Sequence, residues 1–378
     1  METEGDHIDA AALEAGLTAL TGLERIREAA AQTPAYLVGG AVRDLLLGRE
    51  DRADIDVVVE GEVAPIAAAL GGEARSHERF GTATVRVGDL VADIAVARAE
   101  SYSHPGALPD VRPAALADDL ARRDFTVNAM AIPLGGEARL IDPHAGAGDL
   151  ERRALRVLHE RSFIDDPTRA LRAARYAARL GFALDPETEA LVRETDLETV
   201  SADRRNAELA KLAAEPAARW GFELLEQWGL LLLGERAGEL IDAVIAVLEK
   251  PAWRDVAERP AAVLSAARGE LGTAAELATL RPERPSEGVA AAGSASGAEL
   301  VLARALGASW LDDYVGDWRH VGLEISGDDL LAAGVPSSPA LGRGLEAALA
   351  RKLDGEIAGR EAELGAALEA AREGPGPT

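Results

Sequence analysis

Two carboxylates, Asp54 and Asp56, lie one residue apart in an otherwise apolar run that continues to Val59. Successive side chains of a strand point to opposite faces, so the two acids would share a face and repel each other unless a cation neutralised them. Mg²⁺ uses one or two carboxylates and leaves its other positions to water and substrate phosphates. The pair therefore predicts a Mg²⁺ site, and the alternative interpretation is a solvated strand end.

A glycine pair precedes these carboxylates by fourteen residues. Gly39 and Gly40 follow an apolar segment that starts at Tyr36, and they open a short helical segment that ends at Gly48. Glycines at a strand-to-helix turn let a phosphate approach the backbone, where free N–H groups and the positive end of the helix dipole favour anions. Arg43 lies one turn into the helix and adds a guanidinium for phosphate. This pattern predicts a triphosphate-binding turn, and the alternative is a purely structural turn.

A third carboxylate, Asp93, belongs to the second of two predicted strands, 82–87 and 90–96, which a hairpin-like turn connects. Leu90, Ala92, Ile94 and Val96 alternate onto one face of that strand, which leaves Asp93 on the other. By alternation alone, Asp93 is either another metal ligand or a residue that faces solvent.

Arginines follow one face of a helix that begins near Asp166, where an acidic cap precedes a proline. Their spacing of three, three and four residues aligns Arg169, Arg172, Arg175 and Arg179. A charged stripe is commonly a solvated face. Like charges at this spacing repel each other, however, and this stripe has no interleaved acids, so it indicates an anion lying across the helix.

Composition limits the class of protein. A length of 378 residues predicts two or three domains. The net charge of −25 ordinarily argues against a nucleic-acid partner, but residues 149–180 hold eight arginines against five acids and form a basic region. The absence of cysteine excludes disulfides and thiolate zinc sites. No run reaches the roughly 20 apolar residues that cross a bilayer, so we predict a cytoplasmic protein without a membrane partner.

Four ordered stretches carry a resemblance to a known family. They are GGAVRDLLLG with DIDVVVEG (39–61), DLARRDFTVNAMAI (119–132), DDPTRALRAARYAARLGF (165–182) and DRRNAEL (203–209). In these stretches the chain resembles the class II tRNA nucleotidyltransferase (CCA-adding enzyme) and poly(A) polymerase family. Two positions depart from the usual pattern, since Asp165 and Asp203 stand where many relatives have glutamate.

The resemblance implies an α+β fold, in which a polymerase-beta-like head with a mixed sheet is followed by an all-helical neck, body and tail. The implied domains are a catalytic head (1–148), a neck for base recognition (149–225), and a body and tail for tRNA binding (226–378) with a linker at about 282–297. Residues 97–118 are expected to be a long loop that acts as a lever. The stretch 203–209 is expected to hold the base-reading helix in place.

The resemblance also assigns roles to the residues above. The implied metal ligands and catalytic residues are Asp54, Asp56 and Asp93, which would hold two Mg²⁺ ions. The implied phosphate-binding residues are Gly39, Gly40, Arg43 and Arg123, although Arg123 could instead form a helix-entry salt bridge. Asp166 and Arg169 would read the edge of the incoming base, with Arg172 and Arg175 beside the nucleotide.

The implied activity is addition of C, C and A to the 3′ end of tRNA from CTP and ATP, without a template and with release of pyrophosphate. The partners are tRNA and the two nucleotides, and no protein partner is predicted. Three alternatives stay open: addition of A alone or of CC alone, poly(A) synthesis, and a non-catalytic RNA-binding relative.

Overall fold

The computed structural model describes residues 10–49, 55–77, 81–88 and 90–372. The strands in these ranges are β1 Ala35–Val38, β2 Ile55–Val59, β3 Glu73–His77, β4 Thr82–Val87, β5 Leu90–Val96, β6 Arg98–Ser101, β7 Asp110–Pro113, β8 Ala131–Pro133, β9 Ala154–Leu155 and β10 Ala183–Leu184. The helices of the N-terminal half are α1 Ala10–Thr18, α2 Leu23–Ala29, α3 Gly40–Leu46, α4 Val63–Leu70, α5 Leu116–Ala121, α6 Gly146–Glu151, α7 Ser162–Asp165, α8 Thr168–Leu180, α9 Pro186–Val192 and α10 Ala202–Ala214. Those that follow are α11 Ala218–Gln227, α12 Ala237–Leu248, α13 Arg259–Arg268, α14 Ala274–Thr279, α15 Pro285–Ala292, α16 Gly297–Ala305, α17 Leu311–Gly316, α18 Gly327–Ala332, α19 Pro339–Leu353 and α20 Arg360–Arg372.

Six strands form a mixed sheet in the order β3-β4-β5-β2-β1-β8. The two central strands, β5 and β2, run parallel, and the other pairs are antiparallel. Alternation sets the faces of the strands, because Ala92 and Ile94 of β5 are buried while Asp93 between them is exposed. A mixed sheet followed by helices is the α+β fold that the sequence predicted, and the antiparallel pair 82–87 and 90–96 is also confirmed.

Helices cover one face of this sheet. α4 packs against β4 and β5, and α2 packs against α4. Ile26, Ile66 and Leu70 are at most 4% exposed at these contacts. The apolar residues of α4 recur at helical spacing, so one side of the helix can cover the sheet.

The predicted long loop at 97–118 is wrong, because this segment contains a two-stranded ribbon and the start of a helix. β6 pairs antiparallel with β7, from Arg98 opposite Pro113 to Ser101 opposite Asp110. The prolines and the glycine that suggested a loop lie at the tip and at the end of the ribbon. α5 then begins at Leu116. Turn-forming residues were a correct signal for the tip, but they hid the short strands beside it.

Two further elements were missed. β3 pairs with β4 as an edge strand, and its sequence, EARSH, lacks the apolar alternation that indicates a half-buried strand. The predicted linker at about 282–297 contains α15, which starts at Pro285, and the beginning of α16. Proline in the first helical turn and the capping box of Ser296 with Glu299 are helix-start signals, and the Pro/Ser/Gly-rich composition had concealed them.

The residues divide into two compact units. One contains the chain up to Ala217 and Leu224–Leu231, and the other contains Ala218–Glu223 and the chain from Leu232 onward. The predicted head and most of the predicted neck belong to the first unit, and the predicted three-part division stays a prediction. In the described ranges, no helix combines the length and the apolar character needed to cross a bilayer.

The second unit contains a small helical core of its own. Seven buried residues in and next to α18–α20 form it: Ile325, Leu330, Val335, Ala340, Ala348, Ala366 and Ala367. A Cβ added to Gly344 would lie 2.6 Å from the carbonyl oxygen of Ala367. Glycine is therefore required where α19 and α20 cross.

Candidate active site

A cavity of about 660 Å³ opens in the first unit, beside the parallel strands β2 and β5. Eight of the predicted site residues line it: Gly39, Gly40, Asp56, Asp93, Arg123, Asp166, Arg169 and Arg172. Asp54 lies outside the described residues, and Arg43 and Arg175 are not among the lining residues. The cavity thus brings together groups from three sequence motifs that are spread over more than 120 residues of the chain.

The carboxylates Asp56 and Asp93 occupy the same register position on adjacent parallel strands. Residues paired in this way project from the same face of a sheet. Thr84, the partner of Asp93 on β4, donates its Oγ1 hydrogen to Asp93 Oδ1 at 2.5 Å. Carboxylate oxygens are the hard ligands that divalent cations such as Mg²⁺ prefer, so this pair of neighbouring carboxylates fits a divalent metal ion.

The glycine turn has the geometry that its sequence predicts. Gly39 has φ 66° and ψ −131° and caps α3 at its N-terminus. A Cβ at this position would lie 2.6 Å from Nη1 of Arg123. The residue must therefore be glycine both for its backbone angles and for the close approach of the arginine. Arg123 thus lies over the turn, where the sequence placed a phosphate ligand.

Arg43 is buried and bonded to neighbouring side chains. Its side chain is 2% exposed, and its Nε and Nη2 each donate to Asp44 at 2.9 Å. Nη1 donates to Asn128 Oδ1 at 2.7 Å. These bonds hold Arg43 within the protein around Asn128, which lines the cavity although Arg43 itself does not. The phosphate contact of Arg43 stays a prediction.

The arginine stripe of α8 is balanced by carboxylates from other elements. Arg172 donates to Asp124 from Nε at 2.8 Å and from Nη2 at 2.5 Å. Arg175 is 8% exposed and lies 3.6 Å from Glu208. Protein carboxylates from other elements therefore neutralise these two positions, and the local sequence could not reveal them. Arg175 does not line the cavity, and its predicted contact with the nucleotide stays a prediction.

Burial and charge fix the ionisation of Asp124. Burial alone would raise the pKa of this carboxyl, but the positive charge of Arg172 and the hydrogen bond from Asn128 together hold its pKa well below the usual range. The same interaction raises the pKa of Arg172 further above its usual value. The pair is therefore ionised at any pH at which the protein functions.

The predicted base-reading residues lie at the start of α8. Asp166 Oδ1 accepts from Thr168 Oγ1 at 2.6 Å and from Arg204 Nη2 at 3.0 Å. Arg169 is 4% exposed and donates to Ser162 Oγ and to the carbonyl oxygen of Arg122, each at 2.7 Å. These bonds fix both groups beside the cavity. Arg204 lies in the stretch 203–209, which was expected to support this helix.

Three residues with a clear structural role at the cavity were missed in the sequence. The ring of Tyr176 has the guanidinium carbons of Arg43, Arg172 and Arg175 at 5.6, 5.5 and 4.6 Å from its centroid. Glu208 lines the cavity, and Asp119 is fully buried between two arginines. An aromatic residue within an arginine stripe was a signal for cation–π contacts, whereas nothing local distinguished the two acids.

The chain is similar to several known proteins. Residues 35–156 match the model of the poly(A) polymerase head domain. The chain is 49% identical over 166 residues to an A-adding tRNA nucleotidyltransferase of Aquifex aeolicus. This match covers 42% of the chain and 20% of that protein. It is 36% identical over 370 residues to a CC-adding tRNA nucleotidyltransferase of Deinococcus radiodurans, which covers 90% of the chain and 92% of that protein.

A solved structure is similar along the whole chain. The Thermotoga maritima CCA-adding enzyme complexed with tRNA_CCA has a TM-score of 0.68 at 27% identity and covers 97% of both chains. The matching region spans only about a fifth to a half of the length of the A-adding relatives.

The fold and the cavity lie in a head domain of the poly(A) polymerase type, and the relatives that the chain matches are nucleotidyltransferases. The near-complete match with the Deinococcus protein then gives the family: the chain belongs to the class II tRNA nucleotidyltransferases, in the group related to poly(A) polymerase.

Proposed function

We propose that this enzyme adds C, C and A to the 3′ end of tRNA from CTP and ATP, with release of pyrophosphate and without a nucleic-acid template. The observation that carries the proposal is the cavity that joins the in-register carboxylates Asp56 and Asp93 to Gly39 and to the base-reading pair of α8. Addition to an RNA end needs a site for the attacking hydroxyl, one for the triphosphate and one for the base. The lining residues provide chemistry suited to each.

Asp54, Asp56 and Asp93 are the proposed ligands of two Mg²⁺ ions. When bound, the ions would lower the pKa of the terminal 3′-hydroxyl and neutralise charge on the triphosphate. Asp93 is held by Thr84, which fixes one of its oxygens. The carboxylates themselves would orient the ions.

Gly39, Gly40 and Arg123 are proposed to bind the triphosphate. The turn at the N-terminus of α3 provides free backbone N–H groups, and Arg123 provides a guanidinium that is already oriented by its partner Asp119. Arg172, which lines the same cavity, is proposed to lie beside the nucleotide.

Asp166 and Arg169 are proposed to select the base. A carboxylate accepts from the exocyclic amine that C and A share, and a guanidinium donates to their ring acceptors. G and U present a carbonyl at that edge, which would face the carboxylate of Asp166. The pair would therefore discriminate against UTP and GTP without a template strand.

The proposed polynucleotide partner is tRNA, with residues 226–378 as the body and tail that would bind it. The sequence of these residues shows no evident basic patch, so recognition by shape is expected to contribute alongside charge. Because its proposed substrates are tRNA and free nucleotides, the enzyme is proposed to act in the cytoplasm.

Addition of A alone is the second candidate function. It is favoured by the identities of 43–49% to A-adding relatives over the catalytic half, against 36% to the CC-adding relative. Addition of CC alone is the function named for that last relative, which matches along most of its length.

One experiment separates these functions. Purified enzyme is incubated with Mg²⁺ and a tRNA that ends either at the discriminator base or in CC, first with CTP alone and then with CTP and ATP, and the products are sequenced. The proposal expects CC with CTP alone and CCA with both nucleotides. Addition only to a tRNA that already ends in CC would establish the A-adding function, and a long A tail would establish poly(A) synthesis.

A further inference from the structure

Asp119 is the most deeply buried carboxylate next to the cavity. It lies in the last turn of α5 and is fully buried, with no exposed surface. Burial alone would raise the pKa of its carboxyl, but the charges of Arg123 and Arg122 lower it. Its two oxygens do not bind the same arginine, and this division is the basis of the inference.

One oxygen of Asp119 binds the arginine that lies over the glycine turn. Oδ2 accepts from Nη2 of Arg123 at 3.0 Å and from its Nε at 3.3 Å. The remaining nitrogen, Nη1, donates to the carbonyl oxygen of Asn128 at 3.3 Å and lies over Gly39. Asp119 therefore sets the orientation of the guanidinium at the turn proposed to bind phosphate.

The other oxygen of Asp119 binds Arg122, which contacts the base-reading helix. Oδ1 accepts from Nη2 of Arg122 at 2.6 Å and from its Nε at 3.0 Å. Nη1 of Arg122 donates to Glu100 at 2.9 Å. The backbone carbonyl oxygen of Arg122 accepts from Nη2 of Arg169 at 2.7 Å. Fixing the side chain of Arg122 therefore fixes the backbone carbonyl that holds the base-reading arginine.

We propose that Asp119 is a positioning residue that couples triphosphate binding to base selection, because each of its oxygens fixes one of the two arginines leading to these subsites. The inference rests on the function proposed above and deepens it. A single buried carboxylate sets the relative position of the two arginines. A nucleotide whose triphosphate is correctly bound would then present its base to a correctly placed Arg169.

The test uses Asp119→Asn, which keeps the shape of the side chain. The substitution removes the negative charge that Arg122 and Arg123 bind, and it leaves one acceptor oxygen in place of two. Two ratios are measured by equilibrium binding and by addition to tRNA: CTP over UTP for the base, and CTP over CMP for the phosphates. Loss of charge-assisted hydrogen bonds on both sides is expected to lower both ratios by about tenfold.

Asp149→Asn is the matched control. Asp149 is also buried, at 1% exposed, and its two oxygens also bind two arginines, Arg152 and Arg156. It is absent from the cavity lining. This variant is expected to lose stability to a similar extent while both ratios stay within about twofold of wild type.

Single-branch variants test the coupling if Asp119→Asn does not fold. Arg122→Lys is expected to lower the CTP over UTP ratio alone, and Arg123→Lys the CTP over CMP ratio alone. The proposal is overturned if Arg122→Lys leaves base discrimination unchanged, or if Asp119→Asn changes the ratios no more than Asp149→Asn does. Failure of the wild-type enzyme to extend tRNA would count against the proposed function, while the binding ratios would still decide the role of Asp119.

Discussion

Asp56 and Asp93 lie opposite each other in register on the only two parallel neighbours of the six-stranded sheet described here, so their side chains project from one face at adjacent positions. Parallel neighbours bring equivalent positions side by side, and here both positions are acids. Asp93 is tolerated between two buried residues of β5 because its own side chain is exposed in the cavity. The in-register arrangement gives the first prediction.

Replacing Asp56 or Asp93 with alanine is expected to abolish nucleotide addition, with a loss of at least about a thousandfold, because either change removes a ligand of the reacting centre. tRNA affinity should be nearly unchanged, since residues 226–378 are the part of the chain proposed to bind tRNA. Single-turnover addition and filter binding measure the two quantities. Thr84→Val, which removes only the hydrogen bond to Asp93, should cost about 10- to 100-fold. Activity within tenfold of wild type in either alanine variant would contradict the metal assignment.

The second prediction concerns base selection. Asp166→Ala or Arg169→Ala should admit wrong nucleotides more than it slows addition of the correct ones, because each removes hydrogen bonds to one base edge. The expected loss of discrimination is roughly 1–3 kcal/mol, measured as kcat/KM for CTP against UTP.

Arg204→Ala provides a graded comparison for that prediction. It removes the 3.0 Å bond to Asp166 Oδ1 but leaves the reading carboxylate in place. Its effect on discrimination should be smaller than that of Asp166→Ala. If UTP and GTP stay excluded in all three variants, the base is selected by other residues.

The third prediction is the pH dependence of stability that Asp124 contributes. Because the folded-state pKa of this carboxyl is depressed, its contribution is fully present above the unfolded pKa of about 3.9 and is lost as pH falls through the folded pKa. Below about pH 4, the free energy of unfolding of the wild type should therefore fall more steeply than that of Asp124→Asn. The difference in slope should approach about 1.4 kcal/mol per pH unit.

Urea unfolding at several pH values between 5 and 3 measures this difference. The wild type and Asp124→Asn share every other titrating carboxylate, so subtracting their curves isolates Asp124. Parallel curves through that range would show that the pKa of Asp124 is not depressed in the folded enzyme.

Local patterns in the sequence were sufficient for the residues that line the cavity, but not for those that support it. The glycine turn, Asp93 and the α8 stripe follow from strand alternation and helical spacing, which are short-range properties. Arg43 was placed on phosphate because it lies one turn into α3. In the structure its donors are used by Asp44 and Asn128, and the second of these lies 85 residues away in sequence.

The neutralisation of the α8 arginines also could not be predicted from the local sequence. Arg172 and Arg175 find their carboxylates on other elements, in Asp124 and Glu208, so no local pattern could show that the stripe is neutralised. The β6–β7 ribbon was hidden for another reason. Its strands are four residues each, and its tip is rich in turn residues, so the loop signal outweighed the strand signal.

The last prediction concerns this ribbon, which we expect to act in the change from C to A addition. With one base-reading site, the site must reorient after two additions, and the ribbon connects the head to both neck helices that hold that site. Arg204 donates to the carbonyl oxygen of Gly106 at 2.7 Å, and Glu100 accepts from Arg122, whose carbonyl holds Arg169.

Gly106 is the sharpest point at which to test this connection. It has φ +71°, and a Cβ there would lie 2.4 Å from the carbonyl oxygen of Thr199, so Gly106→Ala must displace the ribbon tip from the neck. Gly136→Ala is the matched control, because Gly136 has φ +76° but nothing within 4 Å of the added Cβ. Both variants carry similar backbone strain, and only the first breaks the contact.

We expect Gly106→Ala, and more strongly a deletion between Ser103 and Pro109, to slow A addition to a tRNA ending in CC while the first two C additions continue at rates near wild type. The first two steps need only the resting arrangement of Asp166 and Arg169, whereas the third needs the rearranged one. Stepwise addition on tRNAs ending at the discriminator base, in C and in CC measures each rate separately. Equal slowing of all three steps, or the same selective loss in Gly136→Ala, would show that the ribbon supports the fold of the site and does not drive its change of specificity.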